Sequence, residues 1–263
     1  MYKLLSLLAA LVSVCGASRS CNVQFDLNGC ISSGNITNAR SFPYRVSILH
    51  VTNRFRGTGV IYNRNIIITA AHVVSGVTPS ELKVRAGSSS WNKDGILIQV
   101  VRYHLHAKFN PKNRAHDIAL IQLVNNFIYN TQIKPIPLAI PLRVNATGYY
   151  TSAASALGWC PTDKTANNKD PFSLISASSA LMNPNECHFA LVDSSFNEVP
   201  IICAEIPTND ACIVDYGAPL VSDGSLLGLG VKNAICVSGK CVALYTNVSY
   251  FQDWIHATAK VMN

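Results

Sequence analysis

Asp210-Ala211-Cys212-Ile213-Val214-Asp215-Tyr216-Gly217-Ala218-Pro219-Leu220-Val221 is the stretch of this chain that says most about it. At its centre a carboxylate, Asp215, stands beside a tyrosine, Tyr216. Two other short segments bear groups with catalytic chemistry. One is Thr69-Ala70-Ala71-His72, the other Asp117-Ile118-Ala119-Leu120. Taken singly, the histidine reads as a packed side chain and the aspartate as a capping residue.

Composition bounds the rest of the chain. It has 263 residues, 49% of them hydrophobic and 13% charged, which makes it globular rather than disordered. Its formal charge is +7 and its pI about 9.0. The cations are scattered, without a basic run or interleaved aromatics, so no nucleic acid is expected as a partner. The charge suits solubility and a mild preference for acidic partners. At the N-terminus Lys3 precedes an apolar stretch, residues 4–14, and small residues come next at 15–18. This pattern predicts a secretory signal peptide over residues 1–17, cut near Ala17, and an extracellular location. The apolar stretch is too short for a membrane anchor, since a span needs roughly 20 residues. No membrane partner is expected.

There are nine cysteines, and Cys15 would leave with the signal. Eight remain, an even number in a secreted chain, so disulfides are expected. No C-x-x-C or C-x-x-H pair offers zinc ligands, and neither a metal nor a cofactor is expected. Asn35, Asn145 and Asn247 begin N-x-S/T sequons and are candidate glycan sites on exposed loops.

Short β-rich segments recur between Gly, Pro and Asn: 44–50, 60–61, 66–69, 82–85, 96–101 and 118–123. After a Pro-rich bridge at 134–142 come 155–157, 201–204, 226–231 and 242–245. That rhythm predicts an all-β barrel or sandwich in two halves. One helix is expected at 250–262, with Phe251, Trp254, Ile255, Ala259 and Met262 on one face.

The opening stretch resembles the nucleophile segment of the trypsin/chymotrypsin-like serine proteases, D-x-C-x-G-D-S-G-G-P-L-V. Other blocks match the same family in order and spacing. Ile31-Ser32-Ser33-Gly34 stands for I-V-G-G, and 41–48 for x-F-P-Y-Q-V-S-L. Thr69–His72 stands for the segment bearing the general base, Asp117–Leu120 for the orienting aspartate. Gly158-Trp159 stands for G-W-G, and Asp253-Trp254-Ile255 for the end of the terminal helix. The resemblance implies two six-stranded Greek-key β-barrels and a C-terminal α-helix. It also implies a propeptide-like segment at 18–30 and a protease-like domain at 31–263.

It further implies that the chemistry is gone. Tyr216 replaces the serine nucleophile. Its oxygen lies several bonds farther out and would overshoot a scissile carbonyl, and attack geometry tolerates little error. Phenols, titrating near 10, are scarcely ionised at neutral pH. Val214 replaces a glycine at an oxyanion-hole position, the other being residue 216, and Ala218 replaces a second glycine. Asp210 holds the specificity-pocket position. The segment that pairs with substrate backbone, S-W-G in the family, is Val231-Lys232-Asn233, and Lys232 is a candidate neutraliser of Asp210. Family zymogens are cut after Arg or Lys, and the freed amine pairs with the aspartate beside the nucleophile. Here Cys30 precedes Ile31, so Asp215 is expected to pair elsewhere. Family bridges are matched by Cys187–Cys203 and Cys212–Cys236. For the other four, Cys21–Cys30 and Cys160–Cys241 is the favoured of three connectivities. Two family bridges are missing. The first would join Arg56 to Val73, and the second would reach Ser222.

The resemblance points to the catalytically inactive homologues known from arthropods, parasitic mites among them. It implies a secreted protein that binds another extracellular protein, as decoy, cofactor or inhibitor in a proteolytic or immune cascade. The alternatives are an active hydrolase of altered chemistry, and a secreted, allergen-like protein with no site-directed function. Candidate binding loops are 161–171 and 52–56.

Overall fold

The computed structural model describes residues 35–143, 145, 150, 152–161, 172–190, 200–206, 215–237 and 240–262. Six strands form a first closed antiparallel barrel: β2 (Arg45–His50), β3 (Phe55–Ile61), β4 (Ile66–Thr69), β5 (Leu82–Ala86), β6 (Ile96–Leu105) and β7 (Ala119–Leu123). They run in the order β2-β3-β4-β7-β6-β5. β5 shows the pattern in its simplest form. Leu82, Val84 and Ala86 are buried while Lys83 and Arg85 point outward, the period of two that a half-buried strand requires.

β4 buries both faces. Ile67 fills the interior of this barrel with Val46, Ile48, Val84 and Ile121. Ile66 and Ile68 face the other way, into a second core between the barrels and the terminal helix. Water reaches neither face, so three of its four residues are isoleucine, and the buried Thr69 hydroxyl donates to the Thr58 carbonyl at 2.7 Å.

The second barrel holds β8 (Ala154–Pro161), β9 (Phe172–Leu181), β10 (Ile201–Ile206), β11 (Pro219–Ser222), β12 (Ser225–Val237) and β13 (Lys240–Asn247). Their order is β9-β10-β13-β12-β11-β8, and the β8–β9 pairing closes the ring. A short β1 (Asn35–Ile36) adds to the edge of β9. Its core mixes alanines, among them Ala156, Ala177, Ala204 and Ala243, with Ile175, Ile202, Leu220 and Leu227 around Tyr245. Between β11 and β12 the turn is Asp223-Gly224, both with positive φ (48° and 71°), as a tight hairpin demands.

Three helices complete the fold among the described residues: α1 (Ala71–Val74), α2 (Pro184–Ala190) and α3 (Gln252–Met262). α3 starts two residues later than the sequence periodicity suggests. Val248–Phe251 forms a 3-10 turn whose first amides are capped by the Asn247 side chain, which accepts from the Ser249 N–H at 3.1 Å. Phe251, Ile255, Ala259 and Met262 are buried as expected. The Arg102 guanidinium donates to the Met262 carbonyl at 2.8 Å, a cation on the open end of the helix.

The two-barrel expectation holds. The strand rhythm of the sequence does not mark β1, β9, β11 or α2. Phe172–Leu181 is rich in Ser and Ala, so it lacks the aliphatic signal of a strand. No helix among the described residues is long and apolar enough to cross a membrane.

Candidate active site

β4 ends at Thr69, and the chain turns into α1, which carries His72. Asp117, fully buried just before β7, uses both carboxylate oxygens on this histidine. The His72 backbone N–H donates to Oδ1 at 2.8 Å, and Nδ1 lies 2.6 Å from Oδ2. A proton on Nδ1 shared with the carboxylate leaves Nε2 as the acceptor. The Asp117 carbonyl accepts from the Thr246 hydroxyl on β13 at 3.0 Å. The dyad is thus clamped from both barrels.

Nε2 of His72 is buried and has no hydrogen-bond partner among the described residues. The Tyr216 ring stands edge-on to the imidazole, centroids 4.6 Å apart and planes at 87°. On Tyr216 lies the Arg114 guanidinium, 4.8 Å from the ring centroid, in cation–π range. Arg114 also donates from Nη1 to the Val231 carbonyl at 2.8 Å. Histidine, tyrosine and arginine therefore form one contiguous cluster. Arg114 has φ +55° and His116 φ +53°, left-handed values that cost non-glycine residues energy.

The backbone around Tyr216 is tightly held. Its carbonyl accepts from the Thr58 N–H at 2.7 Å. Gly217 has φ +74°, and a Cβ there would meet the Thr58 carbonyl at 2.2 Å, so only glycine fits. Gly57 is constrained by space alone, because its Cβ would lie 2.7 Å from the Tyr216 carbonyl. Ala218 is fully buried and accommodates its methyl.

Asp215 does pair elsewhere. Its Oδ2 accepts from Arg45 Nη2 at 2.6 Å and from the Trp159 N–H at 2.7 Å. The Arg45 guanidinium also lies 3.6 Å from the Trp159 ring centroid. Burial pushes the Asp215 carboxyl up, while Arg45 and the Trp159 amide pull it back.

The remaining expectations divide. Cys187 and Cys203 are bonded. Cys241 is also in a disulfide, with a partner outside the side chains described. Across the β12–β13 hairpin, Cys236 holds the register position opposite it. Cys21, Cys30, Cys212, Asp210 and Val214 lie outside the described residues, as does loop 162–171, and so do the side chains of Cys160, Lys232 and Asn233. The sequon residues do not all sit in loops. Asn35 is in β1 and Asn247 is half-buried as a cap, while Asn145 is exposed. Arg56 is not a free loop cation: its Nε donates to the Val73 carbonyl at 2.9 Å. That hydrogen bond joins the very positions where the family bridge is missing. Likewise the Ser222 hydroxyl is tied to the Ala153 carbonyl at 2.8 Å.

This arrangement, a His–Asp dyad at the seam of two barrels, agrees with a family comparison. The model described as Trypsin matches residues 31–255. The chain belongs to the trypsin family. It is 31% identical to trypsin alpha of Drosophila erecta over 260 residues, which cover 98% of this chain and 99% of the relative. Trypsin alpha-4 of Lucilia cuprina is likewise 31% identical over 260 residues, 98% of this chain and 99% of that relative. Among solved structures, the scabies mite inactivated protease paralogue S-D1 superposes with a TM-score of 0.72 at 20% identity. That match covers 86% of this chain and 96% of that one and shows a shared fold. Mouse neuropsin, a serine protease, superposes with a TM-score of 0.70 at 27% identity, over 86% and 99%.

Arg45 and Arg114 are the site residues that sequence reading misses. Arg45 leaves a signal, because it replaces an uncharged glutamine in a strand that otherwise buries its side chains. Arg114 leaves none.

Proposed function

We propose that this protein is a secreted, catalytically inactive member of the trypsin family that acts by binding an extracellular protein. Its role is that of a decoy, cofactor or inhibitor in a proteolytic or immune cascade. One observation carries the reading: the Tyr216 ring stands against His72, whose Nε2 is buried without a hydrogen-bond partner among the described residues. A general base works only when its acceptor nitrogen reaches the proton of the nucleophile. Here no donor among the described residues reaches that nitrogen, and the Tyr216 ring packs against its imidazole. Arg114 adds to this. It occupies the Val231 carbonyl, in the segment that in the family pairs with substrate backbone.

Binding then falls on surfaces outside the cleft. The loop at 52–56 offers Arg54, which is exposed, while Arg56 is committed to Val73. Residues 35–134 carry thirteen Lys and Arg against three Asp and Glu. A partner with an acidic face suits that half of the molecule.

A hydrolase of altered chemistry has one observation in its favour, the intact His72–Asp117 contact. Labelling with a fluorophosphonate probe separates the two. The expected result is no adduct on purified protein. A stoichiometric adduct lost in His72→Ala would overturn inactivity. A pull-down from extracellular fluid then tests binding. A partner whose affinity drops with Arg54→Glu and is unchanged in His72→Ala supports the reading, and the opposite pattern places binding in the old cleft.

A further inference from the structure

Asp215 is an aspartate that its surroundings oblige to have a cation. It is 9% exposed, at the seam of the two barrels. A carboxylate taken out of water is costly unless a positive charge and donors meet it. In the family that cation is the ammonium freed when the chain is cut before the I-V-G-G isoleucine. Here a different cation is already present. Arg45 is 4% exposed, 170 residues away in sequence, and its Nη2 is 2.6 Å from Oδ2. It is fixed on three sides. Its backbone is in β2, opposite Val60 in β3. Nη2 also donates to the Thr58 hydroxyl at 3.3 Å, and the guanidinium plane is stacked at Trp159. Trp159 in turn sends its backbone N–H to the same carboxylate oxygen at 2.7 Å.

The pair anchors the residues beside Asp215. The Ala218 N–H donates to the Asp215 carbonyl at 2.9 Å, and the Gly217 N–H to the Gly230 carbonyl at 2.8 Å. The Tyr216 carbonyl receives the Thr58 N–H at 2.7 Å. Residues 215–218 are thereby tied to β3 of one barrel and β12 of the other. A second cation brought to Oδ2 would sit beside the guanidinium, where like charges in a buried volume repel.

We infer that Arg45 is a built-in substitute for the freed N-terminal amine, so that the uncut chain holds segment 215–218 in its docked conformation and needs no cleavage at the 30–31 bond. This makes the protein constitutively assembled rather than a zymogen. It stands whether or not the cleft turns over substrate, and its test requires neither activity nor a partner.

The measurement is amide hydrogen exchange over residues 215–218 in the uncut secreted protein. It is repeated on Cys21→Ser/Cys30→Arg protein before and after trypsin opens the 30–31 bond, verified by N-terminal sequencing. The Gly217 and Ala218 amides are expected to be protected in the uncut chain, and equally so after cleavage. Arg45→Gln, which restores the family residue, is expected to speed their exchange in the uncut chain by about 100-fold, the scale of an unpaired buried charge. Amides that exchange freely until the bond is opened would overturn the inference. So would full protection in uncut Arg45→Gln. Should that variant fail to fold, the uncut and cut forms of the Arg45 chain still decide.

Discussion

Removing Arg114 uncovers two groups at once, the face of Tyr216 and the carbonyl of Val231. Restoring a serine at 216 uncovers a third, the buried Nε2 of His72. These are separate obstacles, which sets the order of repair. Tyr216→Ser alone is expected to give little or no peptidase activity, because Arg114 still occupies the Val231 carbonyl and, as the family resemblance implies, Val214 stands where an oxyanion-hole glycine would be. An oxyanion donor turned away by the β-branched valine would cost about 10²–10³ in rate by itself. Combining Tyr216→Ser with Arg114→Ala and Val214→Gly should exceed the single variant by at least that factor on a peptide substrate. Robust turnover from Tyr216→Ser alone would mean that the cleft was never closed by more than one side chain.

At the level of elements, the segment from His106 to Asp117 links the dyad to the terminal helix. His106 and His116 stack with centroids 5.1 Å apart and planes at 12°. His106 meets Phe251 and Trp254 edge-on, each at 5.1 Å. Burial lowers both histidines, with Lys108 adding to each and His116 adding to His106. An unfolded histidine titrates near 6.5. Between that value and the lower folded ones the unfolded chain binds more protons, so stability falls as pH falls. The expected outcome is a melting temperature that is level above about pH 6.5 and drops below it. In His106→Phe the drop should be smaller. An identical pH profile in both proteins would remove the histidine stack as its cause.

The same elements show how far the sequence could be read. β5 and α3 were legible because burial on one face imposes a period of two or near 3.6. β9 was not, because four serines and two alanines break up the aliphatic residues, Ile175 and Leu181, that it sends into the barrel core. The dyad was legible from His72 and Asp117 within their blocks. The His72–Tyr216–Arg114 cluster was not: Arg114 lies in a segment with two left-handed residues that sequence does not announce.

Across the whole molecule, the first barrel is strongly basic, with thirteen cations to three carboxylates over residues 35–134. One of these cations, Arg45, is turned inward to the second barrel. The scaffold holds a His72–Asp117 dyad, glycines at 57 and 217 and a cation for Asp215, and the Tyr216 ring packs against the dyad. Hydrogen bonds hold residues at which the resemblance implies a missing bridge, Arg56 to the Val73 carbonyl and Ser222 to the Ala153 carbonyl. The central claim is that this is an assembled trypsin fold with a closed active site. It is tested most directly by assaying purified secreted protein and its His72→Ala variant side by side against a mixed peptide library. The expected result is no cleavage by either beyond buffer alone. Cleavage by the unmodified protein that disappears in His72→Ala would contradict it.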